Sequence, residues 1–279
     1  MTKNTILVLG GTGKTGRRLV ERLRASGADV RAAARRGADL HFDWDDVTTH
    51  DAALRGVDAV YLVPPSPRVD YAAQVIDFVD RARAAGVRHV TQLSARGVAF
   101  APPEVAMRAV ELHLIASNDI GHAILRPGWF MQNFTEAFFT PTADGEILAP
   151  TGDGAEAFVH ADDIADVAAA TLLHPERHEG AEYELTGPAA LTFAAAAQRM
   201  AAASGRRIRH VDVPAEDWVA YQVADGMPED YARVLAMLLD ERLRAGSGAS
   251  VTDDVQRVTG HAARSFDDFV ADSAVRLAA

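Results

Sequence analysis

Short apolar runs alternate along the chain with stretches of helical period, the pattern of a parallel sheet covered by helices on both faces. Apolar runs at 6–9, 30–34, 40–42, 59–63, 89–93 and 122–125 predict strands. Between them the spacing predicts helices at about 15–26, 52–55, 70–85, 104–117 and 129–139. Gly27, Gly86 and Gly121 punctuate the returns from helix to strand, where glycine takes a left-handed conformation readily. After about Pro141 the rhythm changes. A Gly/Asp-rich loop at 151–154 leads to a short strand at 157–160, a helix capped near Asp162, a strand at 183–185 and an Ala-rich helix at 193–204. From Pro214 onward only helices are expected, the last at 266–277. The predicted fold class is α/β, a doubly wound parallel sheet with a smaller, mostly helical C-terminal substrate part. Residues 1–140 form the sheet domain, with sheet contributions from about 155–190, and 141–279 form the smaller part, mostly helical after 190.

Composition narrows the partners. A net charge of −11 argues against a nucleic-acid surface and against an anionic membrane. Cysteine is absent, which removes disulfides, a thiolate nucleophile and cysteine metal sites. No uncharged apolar run approaches the roughly 18–20 residues of a membrane span, and the N-terminus moves straight into a strand without a signal-peptide pattern. The expected location is cytoplasmic, and the partner a small molecule; the oligomeric state, monomer or dimer, is left open.

The strongest motif is Gly10-Gly11-Thr12-Gly13-Lys14-Thr15-Gly16, which follows the first strand and opens a helix. Glycines three apart let the backbone turn tightly, approach a pyrophosphate and pack helix on strand, while the helix N-terminus offers free N–H groups. That context makes the sheet Rossmann-type and the ligand a dinucleotide. A nucleoside-triphosphate loop would need glycine where Val8 stands. The second strand chooses the cofactor. An NAD site wants a carboxylate at its end, but the strand ends Ala33-Ala34-Arg35-Arg36, with no acid before Asp39. A guanidinium there would pair with a 2′-phosphate, with Lys14 near enough to assist, so NADPH (NADP) is the expected cofactor. Asp43 and Trp44, ending the third strand, would sit near the adenine.

The sequence is similar to the NmrA-like atypical short-chain dehydrogenases/reductases. The stretches that carry the resemblance are GGTGKTGRRLVERL, VRAAARR, HFDWDD, LRGVDAVYLVPP, AAGVRHVTQLSA, ILRPGWFMQNF, FVHADDIADVAAATL and the later YELTGPAALTF. They lie nearest the ergot-alkaloid and quinone reductase-like members; redox-sensing regulators belong to the same wider family. The resemblance implies cofactor contacts from Gly10, Thr12, Gly13, Lys14, Thr15, Arg35, Asp43 and Trp44. It places Leu62, Val63 and Pro64 along the adenine ribose, Ser94 beside the nicotinamide, and the Arg126–Phe130 turn in the nicotinamide and substrate pocket.

The usual proton donor of short-chain dehydrogenases, a tyrosine with a lysine four residues later, is missing. Tyr61, Tyr71, Tyr183, Tyr221 and Tyr231 are followed at that distance by Pro65, Val75, Gly187, Asp225 and Leu235. Hydride transfer without a strong proton donor suits an acceptor whose product is already stable, a quinone-like compound or a cyclic imine/iminium, rather than a simple ketone. The expected function is therefore an NADPH-dependent reductase, an NAD(P)H-dependent oxidoreductase of planar conjugated acceptors, aromatic or polycyclic. The alternative is a non-catalytic NADP(H)-sensing regulator that binds a protein partner. Met107, Glu111, Trp129, Phe130 and Asn133 are the candidate substrate-pocket residues. No catalytic residue is assigned with certainty; Glu111 or His113 could relay a proton, and Arg108 is solvated or bound to substrate. No metal site is expected: His160, Asp162 and Asp163 read as a helix start. His174 and His178 read as surface.

Overall fold

The computed structural model describes residues 4–278, with side chains through Ser273. The chain forms two compact units, each with its own core. The first comprises Met1–Pro127, Ala161–Leu185 and Arg257–Gly260; the second comprises Gly128–His160, Thr186–Gln256 and His261–Ala279.

Numbered along the chain, the strands are β1 (Thr5–Leu9), β2 (Asp29–Ala34), β3 (Leu40–His41), β4 (Ala59–Leu62), β5 (His89–Leu93), β6 (Gly121–Pro127), β7 (Glu146–Leu148), β8 (Ala155–Glu156), β9 (Ala181–Leu185), β10 (Leu191–Thr192) and β11 (Arg209–Val211). The helices are α1 (Lys14–Ala25), α2 (Thr48–Leu54), α3 (Ala72–Ala84), α4 (Ala106–Ala116), α5 (Asn133–Glu136), α6 (Ala161–Leu173), α7 (Phe193–Ser204), α8 (Ala215–Ala224), α9 (Glu229–Met237), α10 (Asp254–Thr259) and α11 (Phe266–Ala278).

The first unit is one parallel seven-stranded sheet in the order β3-β2-β1-β4-β5-β6-β9. Helices cover both faces, so β1 and β4 are buried at every position and read as continuous apolar runs rather than alternating ones. Helix α3 buries Val75, Phe78, Val79 and Ala82, one stripe at the spacing of a helix that packs by a single face. Gly27, at φ +81°, closes α1 in the left-handed conformation. On the other face, Arg22 of α1 pairs with Asp162 and Asp166 of α6. Asp162, expected as the cap, lies in the first turn of α6 and with Asp166 ties that helix to the one that follows the glycine loop.

The second unit is built around aromatic side chains: Phe134, Phe139, Phe158, Phe193, Trp218 and Phe269 are fully buried. Thr192 caps α7, its hydroxyl accepting from the Ala195 N–H at 3.1 Å. Two small sheets accompany the helices, β7 with β11 and β8 with β10, and three of these strands lie where the hydrophobic pattern showed none.

Three expectations need correction. The helix predicted over 129–139 is only α5, four residues long. Ahead of it the chain is extended, because the Trp129 carbonyl accepts from the Val159 N–H and the Met131 N–H donates to the Val159 carbonyl. The strand predicted at 157–160 is likewise shifted to β8: the Ala157 N–H donates to Gly248, and the Ala157 carbonyl accepts from Gly187, both in irregular segments. His178 is buried rather than on the surface, with Nδ1 2.7 Å from the Tyr183 hydroxyl.

His89, the first residue of β5, is also buried, and burial together with nearby His122 and His178 pushes its pKa from 6.5 down to about 4. The folded state therefore favours the neutral ring. Its contribution is full above pH 6.5 and is lost as pH falls toward 4, about 3 kcal/mol in all. Denaturant midpoints measured between pH 7 and 4 should fall steeply across that window. In His89→Leu the slope should flatten, leaving the smaller part due to His122, His178 and His210, whose pKa values burial also lowers.

Candidate active site

The glycine loop joins β1 to α1. Gly10 takes φ +63°, the Gly11 N–H donates to the Ala33 carbonyl at 3.0 Å, and the Gly13 N–H donates to the Gly10 carbonyl at 2.8 Å. A side chain at Gly11 would meet the Ala32 Cβ at 2.8 Å, and one at Gly16 would meet the Gly10 oxygen at 2.1 Å. Gly13 precedes α1 with no side-chain cap and no acid in the first turn. No side chain occupies the N-terminal end of α1 as a cap, and the exposed Thr12 and Gly13 allow a ligand to approach it. Lys14 is half-buried. Thr15 is buried beneath the loop and accepts from the Tyr61 hydroxyl at 3.1 Å, while burial drives the Tyr61 pKa upward. Val63, past the end of β4, lies beside Gly10, flanked by buried Leu62 and Pro64.

Past β2, Arg35 and Arg36 are exposed, and neither guanidinium has an ion-pair partner among the described residues. The nearest acid points elsewhere: Asp39 accepts from the Ala32 N–H at 2.8 Å and from Arg24 at 2.6 Å. Those hydrogen bonds, the backbone one foremost, outweigh partial burial and hold its carboxyl below the ordinary value. The end of β2 therefore offers cations and no available carboxylate, which fits a 2′-phosphate. Asp43 folds its own turn, accepting from the Asp45 N–H at 3.1 Å. Trp44 is half-buried, its ring edge-on to Phe42 at 5.1 Å and near Phe78 at 5.3 Å. Glycine loop, bare helix end and paired arginines together fit a dinucleotide phosphate laid across the carboxyl ends of the strands.

A charged cluster lies at the carboxyl ends of β5 and β6. Glu111 of α4 is fully buried and takes four donors: the Ser94 hydroxyl at 2.6 Å, Arg126 Nε at 2.8 Å and Nη2 at 2.9 Å, and Arg108 Nη1 at 2.7 Å. Arg126 reaches Glu182 with its remaining nitrogen at 2.5 Å. Burial alone would raise the Glu111 pKa, but the donors overcome it and hold the carboxyl below 4.5. Burial likewise opposes the charge on Arg126, and the two glutamates restore it. Glu111 is therefore an ionised, saturated acceptor, and the idea that it relays a proton is corrected. Arg108 is paired with it rather than solvated. Met107 packs against the core of the first unit. In β5 the buried Gln92 amide has no hydrogen-bond partner at either atom among the described residues.

Trp129, Phe130 and Asn133 belong to the second unit, where Trp129 packs on Phe138 and Phe139 and Asn133 begins α5. There Gln132 Nε2 lies 2.9 Å from His160 Nε2, both buried, a pair that the sequence reading did not single out. Nor did it pair Arg126 with Glu111. The available signal was a charge inside the apolar run Ile124-Leu125-Arg126-Pro127, which requires a buried partner.

Comparison with known proteins agrees with this geometry. A family model described as NAD(P)H-binding matches residues 10–175. An uncharacterized oxidoreductase of Bacillus subtilis is 36% identical, with 97% of this chain and 96% of the relative covered. A festuclavine dehydrogenase of Aspergillus fumigatus is 34% identical, over 95% and 96% of the two chains. The fold matches that of an NADPH-dependent quinone oxidoreductase of Escherichia coli, solved with NADPH, at a TM-score of 0.81 and 24% identity, over 96% and 99% of the chains. No helix among the described residues is long and apolar enough to cross a membrane. The chain belongs to the NAD(P)H-binding family and is an NAD(P)H-dependent oxidoreductase.

Proposed function

We propose that this chain uses NADPH to reduce a planar, conjugated acceptor, quinone-like or cyclic iminium, without taking a proton from a protein acid. The observation that carries the reading is the cluster around Glu111, where ionised groups stand at the carboxyl ends of β5 and β6 and the one hydroxyl, Ser94, already donates to a carboxylate. Bound NADPH supplies the hydride. The glycine loop and the N-terminus of α1 would hold the pyrophosphate through backbone N–H groups. Arg35, with Lys14 and Arg36 near, would hold the 2′-phosphate, and Asp43, Trp44, Leu62, Val63 and Pro64 would line the adenosine half. Ser94, Met107 and Glu111 would serve the reacting end.

An acceptor reduced here must carry its new electron pair without help. A quinone yields a delocalised, weakly basic oxyanion and an iminium yields a neutral amine, whereas a ketone would leave a strongly basic alkoxide. The full-length similarity to a festuclavine dehydrogenase supports turnover of a small organic acceptor over a purely sensory role.

The test mixes protein and NADPH with a panel of quinones and cyclic iminium salts, following absorbance at 340 nm, with NADH as control. Arg35→Ala should weaken NADPH binding by about 10-fold and leave NADH binding nearly unchanged. Turnover of ketones at rates equal to the conjugated acceptors would overturn the reading. Tight NADPH binding without turnover of any acceptor would make the chain a sensor.

A further inference from the structure

We propose that Glu111 is a positioning residue that locks Ser94 as an acceptor-only hydroxyl, and that this hydroxyl receives the N–H of the nicotinamide carboxamide. The inference rests on the NADPH reading and goes beyond it by assigning the group that orients the reactive ring.

A carboxylate can only accept hydrogen bonds, so the single proton of the Ser94 hydroxyl must be the one shared with Glu111 at 2.6 Å. Arg126 and Arg108 keep Glu111 ionised and fixed in place, with its two oxygens each taking two donors. The Ser94 hydroxyl therefore cannot rotate to donate elsewhere without breaking a buried, charge-assisted bond. Its lone pairs remain, and no donor among the described residues uses them. A ligand group facing Ser94 must bring an N–H or O–H.

The sheet order says which part of the ligand that is. The phosphate loop follows β1 and the free arginines follow β2, on one side of the point where the strand order reverses; β4 and β5 lie on the other. Dinucleotides cross this edge with one nucleotide on each side. With the 2′-phosphate end over β2, the nicotinamide end lies over β4 and β5, where Ser94 follows the last residue of the strand. The carboxamide is the only N–H donor of that ring. A ring oriented through its carboxamide presents one face toward the acceptor, so a hydroxyl locked in this way bears on hydride stereochemistry as well as affinity.

The test is equilibrium binding of NADPH and of its 3-acetylpyridine analogue, which keeps the ring carbonyl and replaces the amine with methyl. Ser94→Ala should raise the NADPH Kd about 5- to 10-fold and leave the analogue's Kd within about 2-fold. Ser94→Thr, which retains the hydroxyl, should keep the wild-type ratio of the two. Glu111→Gln, whose amide can donate to Ser94, should move that ratio toward the Ser94→Ala value. Equal loss for both ligands in Ser94→Ala, or no loss for either, overturns the proposal, as does a Glu111→Gln ratio like wild type. Failure of the wild-type protein to bind NADPH at all would instead remove the reading on which the proposal rests.

Discussion

Alanine in place of Gly16 should weaken NADPH binding by about 100-fold while leaving most of the fold in place. Gly16 lies in the first turn of α1, and an added Cβ would stand 2.1 Å from the Gly10 oxygen, 2.7 Å from its carbonyl carbon and 3.0 Å from the Gly11 Cα. All three are backbone atoms of the loop, so no side chain can yield. Either α1 slides away from β1 or the loop opens, and both disturb the N–H groups that a pyrophosphate needs in register. The overpacking itself should cost about 1–3 kcal/mol. Titration of NADPH fluorescence and a thermal melt separate the two effects. A variant that binds NADPH like wild type would show that the loop does not hold the pyrophosphate.

The second large effect belongs to Glu111→Ala. The substitution leaves Arg108 without its acid and Arg126 with Glu182 alone, in a place where Arg126 is only 4% exposed. Removing one member of a buried ion pair costs about 3–5 kcal/mol, because the remaining charge keeps its desolvation penalty. At about 2–4 °C per kcal/mol for a chain of this size, the melting temperature should drop by roughly 10 °C. The sign with pH is fixed by the depressed carboxyl of Glu111, whose folded pKa lies below 4.5. Its contribution is present above the unfolded carboxyl value and is lost as pH falls through the folded one. The gap between wild type and variant should therefore narrow below about pH 4. A gap of equal size at pH 7 and at pH 3 would mean that Glu111 acts by packing rather than by charge.

Much of the sheet unit was legible in the sequence because its signals are local. Four apolar residues, three glycines at fixed spacing and an amphipathic helix lie within one stretch, and Arg35 follows the next strand. The helix predicted over 129–139 failed for the opposite reason. Trp129 and Met131, on either side of Phe130, bond their backbone groups to Val159, some thirty residues away, and nothing in the local spacing announces that partner. Strands β7 and β11 are three residues each and find one another across more than sixty positions, too short for any period to register. The cluster around Glu111 was half visible: Ser94, Glu111 and Arg126 were in view and Glu182 was not, and the four come from separate parts of the chain that only the packing of α4 and the register of β6 with β9 bring together. Asp39 illustrates the converse. Its place in the sequence left open whether it could reach a ribose, and its bonds to Ala32 and Arg24 turn it away.

The first unit is discontinuous, and that has a consequence for how the protein can be made. Strand β9 and helix α6 come from Ala161–Leu185, after the chain has passed through Gly128–His160 of the other unit. A ribosome emitting the chain from its N-terminus thus delivers the proposed cofactor contacts long before the sheet can close its last edge or α6 can pair with Arg22. Nascent chains ending near Pro127 would expose the edge of β6 and the α6-facing side of β5, surfaces prone to adhesion. Shortening this protein to an N-terminal cofactor-binding cassette would accordingly yield an insoluble fragment, whereas fusing β6 directly to α6 through a short linker keeps the whole sheet.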